Sequence, residues 1–457
     1  MKIKEKKLRN RLRIALSKRM NDKIHISEIR NVQVVEAPSR NFNIARFTLT
    51  YRKDSNDKNE KVKLILKRLK PNLPKTDFSH KQTSIHREIE HLPEYTRRLF
   101  EYIQGPINNG HEEGYLVNFY GQEGGEIYEE DAGDISVERL FIEKTPTPKL
   151  LERLVEAIAI EHSKWAVNMT SHVDELGEVR REKNFREKLH DNLDFILKYY
   201  NKELRSSDED LLAKFFLGTE NYLNDPVFNI FFRIIHSDLH LGHIFLKYNG
   251  KKFSDIKDIS KEDLRKYEPK IKIVDLTGMS IGPQTFDLVD MLKHPVSVNA
   301  EDYPTQTSQR KFVEDLVELY RTKRVEAFLE TFLAEVKNGE PVIKKSLEFL
   351  TKFYISNIYR DIRATSKGIL LKSDPRNKEL YKIYKKSNPK YDFYSDWYLA
   401  DLGEVLKYLI SEKFNDDSLF KGHLTQKIIE QTYDILLKHI PSLEENPIKL
   451  SKQIVNY

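Results

Sequence analysis

Two apolar segments that each end on ionisable residues constrain this sequence more than any other feature. The first runs from 231 to 250 and contains the polar turn His-Ser-Asp-Leu-His-Leu-Gly-His at 236–243. The second runs from 271 to 292, and its first strand-like residues lead directly to Asp275. Ionisable side chains that follow strands are held rigidly at the edge of a cleft. We therefore expect the two segments to form one functional site.

Two carboxylates presented in this way suit phosphoryl transfer. Asp238 could accept the proton of an attacking hydroxyl, and Asp275 could hold magnesium against the phosphates of a nucleotide. Positioning and charge neutralisation supply most of this catalysis, so few side chains are needed. Each residue also has a structural interpretation, because an Asp after a strand is often a turn or helix cap. His236 and His240 could be satisfied structural histidines.

A transition-metal site is the rival interpretation of the same turn. His236, Asp238, His240 and His243 lie in one short loop, and zinc or iron sites use such ligands. A metal-dependent hydrolase would use this cluster. This interpretation leaves the segment 271–292 unexplained, and no other stretch offers a second dense set of ligands. Phosphoryl transfer accounts for both segments, and we favour it.

The turn resembles the catalytic loop of the aminoglycoside-phosphotransferase and maltokinase group within the protein-kinase-like superfamily. That loop reads His-Gly-Asp-x-His, with Asn or Gln five residues after the Asp. Val-Asp-Leu-Thr-Gly at 274–278 resembles the metal-binding segment of the group, and 282–288 is similar to its Gly-x-Pro-x-x-Asp-Leu segment. The resemblance implies an α+β, bilobal protein-kinase-like fold. It would have a small antiparallel-sheet N-lobe and a large, mostly helical C-lobe with a long helical C-terminal extension.

The resemblance also implies a role for each matching residue. Asp238 would be the catalytic base and Asp275 the main magnesium ligand, with His243 as a second ligand in the place of the Asn or Gln. Three residues would support the loop: His236, His240 and Asp287. The nucleotide site would also take residues from four elements. Lys67 of the third strand would contact the phosphates, and Glu88 of the following helix would hold Lys67 in place. The first turn would contribute Ser39, Asn41 and Asn43, and a hinge similar to Glu-Asp-Leu-Gly would contribute Glu130 and Ala132.

The expected activity is therefore ATP-dependent phosphotransfer, with Mg²⁺, to a hydroxyl of a small molecule such as a sugar or an aminoglycoside-like compound. Arg360, Asp361 and Arg363 share one predicted helix and could bind an anionic acceptor, although surface ion pairs are expected there. A kinase-like nucleotide-binding or scaffold protein without turnover is the alternative. His243 and the Gly-free first turn favour it, and its protein partner would dock on the C-terminal helices.

A change from strand-like to helical periodicity divides the chain into four expected regions. These are a basic helical N-terminal arm at 1–30, an N-lobe at 31–134, a C-lobe core at 135–300, and a helical acceptor or partner region at 301–457. The net charge of +6 over 457 residues gives no reason to expect a nucleic-acid partner. The absence of Cys excludes disulfides and thiolate catalysis. Without a secretory signal or an apolar run of membrane-spanning length, a cytoplasmic location is expected.

Overall fold

The computed structural model describes residues 5–35, 42–53, 57–69, 115–133, 135–143, 148–169, 185–200, 202–225, 232–247, 269–275, 280–294, 303, 305–332, 346–387, 391–411, 414 and 416–454. Within them, the first lobe is an antiparallel sheet of five strands in the spatial order β1-β2-β3-β5-β4. The strands are β1 (His25–Val35), β2 (Phe42–Arg52), β3 (Glu60–Leu69), β4 (Phe119–Glu123) and β5 (Glu126–Glu130). Gly124 and Gly125 close the predicted hairpin between β4 and β5 with φ angles of 55° and 76°, which suit a type I′ turn.

Helix α1 (Glu5–Met20) covers one face of this sheet. Leu8, Leu12 and Leu16 form one apolar stripe and share a buried cluster with leucines of β3. Gly121 of β4 has a φ of 126°, and a Cβ at this position would lie 2.7 Å from the carbonyl oxygen of Ala15. Glycine therefore permits the close approach of α1 to β4.

Helix α1 is shorter than the arm at 1–30 that the sequence predicts. Asn21, with a φ of 51°, leaves the helical conformation directly after Met20, as Asn often does at a helix end. Residues 25–30 belong to β1, so the second part of the predicted helical arm is wrong.

The second lobe is mostly helical. Its helices are α2 (Val137–Glu143), α3 (Pro148–Met169), α4 (Phe185–Tyr199), α5 (Ser206–Leu223), α6 (Thr285–Leu292), α7 (Gln306–Phe332), α8 (Ser346–Ser373), α9 (Lys378–Ser387), α10 (Tyr394–Leu409), α11 (Ser418–His423), α12 (Gln426–His439) and α13 (Pro447–Ile454). A large hydrophobic cluster fills this lobe and reaches the sheet through Phe119 and Ile127. The predicted α+β class, a small antiparallel sheet followed by a larger helical lobe, is confirmed. None of the described helices is long and apolar enough to cross a membrane.

Two short two-stranded sheets in the second lobe bring the two predicted site segments together. Strand β6 (Phe232–Ile235) pairs with β9 (Ser280–Pro283), and β7 (Ile244–Lys247) pairs with β8 (Lys270–Ile273), both antiparallel. Because each pair takes one strand from each segment, the loop 236–243 is held beside residues 274 and 275. We call 236–243 the site loop.

Candidate active site

Asp287 of α6 fixes the start of the site loop. Its carboxylate accepts the backbone N–H of His236 at 2.6 Å and the backbone N–H of Ser237 at 2.9 Å. Ser237 has a φ of 64°, a conformation that costs a side-chain-bearing residue about 1–2 kcal/mol. The two charge-assisted hydrogen bonds to Asp287 offset this strain, so a residue other than Gly is tolerated at this position.

His162 of α3 holds the carboxylate of Asp287 in position through a hydrogen bond. Its Nε2 lies 3.0 Å from Asp287 Oδ2, and its Nδ1 lies 2.6 Å from the hydroxyl of Tyr320. The carboxylate must accept, so Nε2 carries the proton and Nδ1 accepts the Tyr320 hydroxyl. Burial lowers the pKa of His162, which keeps the ring neutral in this tautomer. The pattern of the sequence did not reveal this support.

His236 joins the site loop to the end of β8. Its Nε2–H donates to the carbonyl of Val274 at 2.8 Å, and the backbone N–H of Val274 donates to the carbonyl of His243 at 3.0 Å. Burial, together with the neighbouring His243, lowers the pKa of His236. The neutral ring therefore acts as a linker between the loop and the residue that precedes Asp275.

His243 presents an open ring nitrogen to Asp275. Its Nδ1 donates to the backbone carbonyl of Asp238 at 2.7 Å, so Nε2 is the ring nitrogen that faces Asp275. That Nε2 lies 3.7 Å from Asp275 Oδ2. The distance is too long for a hydrogen bond but suits two ligands of one cation. Asp275 itself has a φ of 66°, and such backbone strain is common at functional sites.

Lys67 reaches this carboxylate from the sheet of the first lobe. Its Nζ lies 3.6 Å from Asp275 Oδ1 and 2.8 Å from Glu129 Oε2 of the neighbouring strand β5. Burial alone would lower the pKa of Lys67, but the carboxylates of Asp275 and Glu129 raise it. Lys67 is therefore a buried cation that connects the two lobes.

The partner predicted for Lys67 was Glu88, which lies outside the described residues, as do Ser39 and Asn41. Their roles stay predictions. The sequence predicts Glu129 only as part of a return strand, and the alternation of β5 gives no signal that it would face Lys67. Asn43 lies within β2 and pairs with Arg68 of β3, so its backbone belongs to the sheet.

Asp238 projects from the site loop with a side chain that is 48% exposed. Partial burial favours its neutral form, but Lys367, His240, His243 and Arg363 hold its pKa well below the usual range. Lys367 Nζ lies 4.0 Å from Asp238 Oδ1. Asp238 is therefore an ionised carboxylate with a cation beside it, on the accessible side of the loop.

His240 closes the turn inside the loop. Its Nδ1 accepts the backbone N–H of Gly242 at 3.0 Å, and its ring lies 4.0 Å from the ring of His243, measured between centroids. Burial and the neighbouring His243 lower the pKa of His240 to about 3. A Cβ on Gly242 would lie 2.7 Å from His240 Cε1, so glycine leaves room for the ring that closes this turn.

The rival transition-metal site is only partly assembled. Asp238, His240 and His243 offer ligand atoms within 4.8 Å of one another, whereas tetrahedral zinc ligands lie about 3.4 Å apart. His236 does not join them, because its Nε2 is bonded to Val274. Lys367 beside Asp238 also opposes a bound dication.

The predicted hinge follows β5. The N–H of Glu130 donates to the carbonyl of Asn118 at 2.8 Å, and the N–H of Asp131 donates to that of Lys63 at 3.0 Å. The side chain of Glu130 is also engaged: burial opposes its ionisation, but Lys272 and Lys247 lower its pKa. Among the described residues, Ala132 keeps its backbone N–H without a hydrogen bond. Ala132 is thus better placed than Glu130 to donate to a nucleotide base.

Arg360 and Asp361 are not the surface ion pair that the sequence favoured. Arg360 is 7% exposed and Asp361 is 0% exposed, because α10 packs along this part of α8. Arg363 donates from Nη1 to the carbonyl of Ser237 at 3.3 Å. The prediction of solvated ion pairs is wrong, and the helix instead faces the site loop.

Asp290 of α6 lies between these arginines and the loop, and it should give stability a pH dependence. Burial raises its pKa to about 7, although Arg360 and Arg363 oppose this and Asp238 and Asp287 add to it. The folded state thus holds this proton to a higher pH than the unfolded chain. The resulting stability is present below about pH 4 and is lost as the pH rises through about 7. We expect the stability of Asp290→Asn relative to wild type to increase as the pH rises from about 4 to about 7, measured as denaturant midpoints. A stability difference between the two proteins that does not change with pH would contradict this.

No protein-family model and no curated protein matches this sequence. Among solved structures, the GDP complex of wild-type aminoglycoside 2'-phosphotransferase-IIIa is similar over 82% of this chain and 96% of its own, with 12% identity and a TM-score of 0.39. Plasmodium vivax ethanolamine kinase is similar over 78% of this chain and 81% of its own, with 10% identity and a TM-score of 0.37. At TM-scores this low the similarity carries no weight for function, which depends on the geometry of the site.

Proposed function

We propose that this protein is a kinase-type phosphotransferase that moves the terminal phosphate of ATP to a hydroxyl of a small molecule. One observation carries the proposal: Lys67 from the sheet meets Asp275 from the end of β8, beside the ring of His243. The same ring is fixed by the backbone of Asp238. A buried ammonium and a carboxylate that face each other between two lobes are suited to hold a nucleoside triphosphate and its metal.

Asp238 is the proposed catalytic residue. It would orient the acceptor hydroxyl and take its proton as the oxygen attacks the γ-phosphorus. The bond between that phosphorus and the bridging oxygen then breaks, and ADP leaves with the electron pair. Because its pKa is low, Asp238 is ionised at neutral pH but is a weak base. Orientation of the hydroxyl is therefore its larger contribution.

Asp275 and His243 are the residues that would hold magnesium. His243 Nε2 and Asp275 Oδ2 lie 3.7 Å apart, and a cation would fit between them as a shared ligand site. Magnesium prefers oxygen to nitrogen ligands, so Asp275 would be the essential ligand and His243 a secondary one. The bound metal would neutralise the charge of the transferred phosphate.

Lys67 would contact the phosphates of the nucleotide. In the structure its ammonium already lies against Glu129 and Asp275. A triphosphate with magnesium would replace the contact to Asp275, while Glu129 would keep Lys67 in place. Ala132 would donate to the base.

Thermal unfolding with and without ATP and magnesium tests this nucleotide site. Wild-type protein should gain about 2.7 kcal/mol at a nucleotide concentration of a hundred times the dissociation constant. Asp275→Ala should lose the magnesium-dependent part of this gain. Asp392→Ala is a matched control, because its side chain has the same 27% exposure and lies in an ion pair on another surface. No shift in wild type, or an equal shift in Asp275→Ala, would contradict the proposed site.

A nucleotide-binding protein without turnover is the second candidate. His243 favours it, because a ring nitrogen replaces an oxygen ligand at the expected magnesium site. This candidate predicts the same thermal shift but no ADP release with any acceptor. Near-stoichiometric zinc or iron that survives dialysis would instead favour the metal-hydrolase interpretation of Asp238, His240 and His243.

A further inference from the structure

Three cations form a row on the face of α8 that meets the site loop: Arg360, Arg363 and Lys367. Their spacing places them within a sector of about 60° and along about 10 Å of the helix. Lys367 Nζ lies 4.0 Å from Asp238 Oδ1, and Arg363 donates to the carbonyl of Ser237 at 3.3 Å. The row therefore begins beside the proposed catalytic carboxylate and leads away from it. We call these three residues the α8 cation row.

Arg360 is the buried end of this row. Its Nη1 lies 3.1 Å from Asp361 Oδ1 and its Nε lies 3.9 Å from Asp290 Oδ1, while the ring of Tyr398 lies 4.6 Å from the guanidinium carbon. Within the described part of the chain, none of its three guanidinium nitrogens makes a hydrogen bond. A guanidinium offers five donors in a fixed fork, and leaving them unmet while buried is costly. An oxyanion such as a phosphate or a carboxylate would satisfy them.

The acidic neighbours of the row do not cancel its charge. Asp361 is fully buried, and burial raises its pKa well above the usual range despite Arg360. Asp290 has a pKa raised to about 7, so much of it is protonated at neutral pH. Among the described residues, the carboxylates that lie within 4.0 Å of the row are Asp238, Asp290 and Asp361. Burial opposes the ionisation of Asp290 and Asp361, so these two carboxylates neutralise the three cations only in part.

We propose that the acceptor is a small hydroxylated molecule that carries an oxyanion, either phosphate or carboxylate, and that the α8 cation row binds this group. The proposal rests on the proposed function and names its substrate class. An aminoglycoside carries several positive charges and would be repelled by Lys367 and Arg363. The sequence predicts a sugar or an aminoglycoside-like acceptor, and the positive charge of this surface favours an anionic sugar derivative or a hydroxy acid over both.

Paired acceptors that differ in one charge test the proposal. With a non-hydrolysable ATP analogue and magnesium bound, so that the nucleotide site is filled, thermal unfolding is measured with ribose phosphate against ribose and with glycerate against glycerol. At least one anionic compound should stabilise the protein while its neutral parent does not. ADP release should show the same preference, and kanamycin should be inactive. Stabilisation by neither anion, or preference for a neutral compound or kanamycin, would overturn the proposal.

Variants of the row separate acceptor binding from an effect on the transferred phosphate. Lys367→Gln and Arg363→Gln should each weaken binding of the anionic compound about tenfold or more, because each removes a charge-assisted contact. Binding of the ATP analogue should not change. Lys372→Gln is the matched control, since Lys372 lies on another face of α8 and pairs with Asp392 at 3.9 Å. Equal effects of all three variants, or weaker binding of the ATP analogue with unchanged anion binding, would refute a role of the row in acceptor binding.

The two levels of the proposal fail in different ways. If the proposed function is wrong, the magnesium-dependent shift with nucleotide is absent. If only the acceptor class is wrong, that shift is present and depends on Asp275, but the charged and neutral compounds behave alike.

Discussion

Asp238→Asn should reduce phosphoryl transfer about 10²- to 10⁴-fold, the range for loss of a positioned general base. Asn keeps the shape of the side chain but cannot accept the proton of the hydroxyl. The loop should keep its fold, because its hydrogen bonds use the backbone carbonyl of Asp238 and the carboxylate of Asp287. ADP release with the best acceptor of the charge-paired set measures the effect.

Nucleotide binding provides the internal control for this variant. The magnesium-dependent thermal shift should survive in Asp238→Asn, because Asp275 and Lys67 are untouched. Asp194→Asn is a matched surface control, since its side chain is 47% exposed against 48% for Asp238 and lies on α4. Transfer at the wild-type rate by Asp238→Asn would show that the catalytic assignment is wrong.

Asp287→Ala should have the largest effect on stability, a loss of about 3–5 kcal/mol, because each buried donor left without an acceptor costs about 1–3 kcal/mol. The change leaves the backbone N–H groups of His236 and Ser237 and the ring N–H of His162 without their acceptor in a buried site. Ser237 would also lose the contact that holds its strained backbone. The midpoint of urea unfolding, with an unchanged slope, measures the loss.

Asp287→Asn refines this experiment. Asn keeps one acceptor oxygen but turns an NH₂ group towards a donor, so its cost should lie between wild type and Asp287→Ala. A loss below about 1 kcal/mol in Asp287→Ala would mean that water replaces the carboxylate and that the loop does not depend on it.

The sequence predicted those parts of the molecule that local pattern determines. The change from a period of two to a helical period indicated a sheet followed by helices, and the hairpin at Gly124-Gly125 follows from its turn residues. Local sequence also determines the site loop. Its eight residues lie between two strands, and this short connection places His236, Asp238 and His243 together. The roles predicted for Asp238, Asp275 and the nucleotide-binding residues stay predictions until they are measured.

Contacts between distant segments could not be predicted in the same way. Glu129 meets Lys67 because β5 lies beside β3, a pairing that one sequence does not reveal. Arg363 contacts Ser237 across 126 positions of sequence. The charged run at Arg360 looks the same whether water or α10 covers it, so its burial required the packing of the helices.

The cover that α1 provides for the sheet has a consequence for synthesis of the chain. The apolar stripe of Leu8, Leu12 and Leu16 can meet the leucines of β3 after about fifty further residues, but its cover is complete only when β4 has been made, about a hundred residues after α1. At ordinary elongation rates this leaves the stripe partly uncovered for roughly 5–20 s. During that interval the nascent chain exposes a basic helix with an apolar face, which is the kind of surface that chaperones at the ribosome exit bind. Yield from recombinant expression should therefore respond more to chaperone supply and to changes in α1 than to changes in the C-terminal helices.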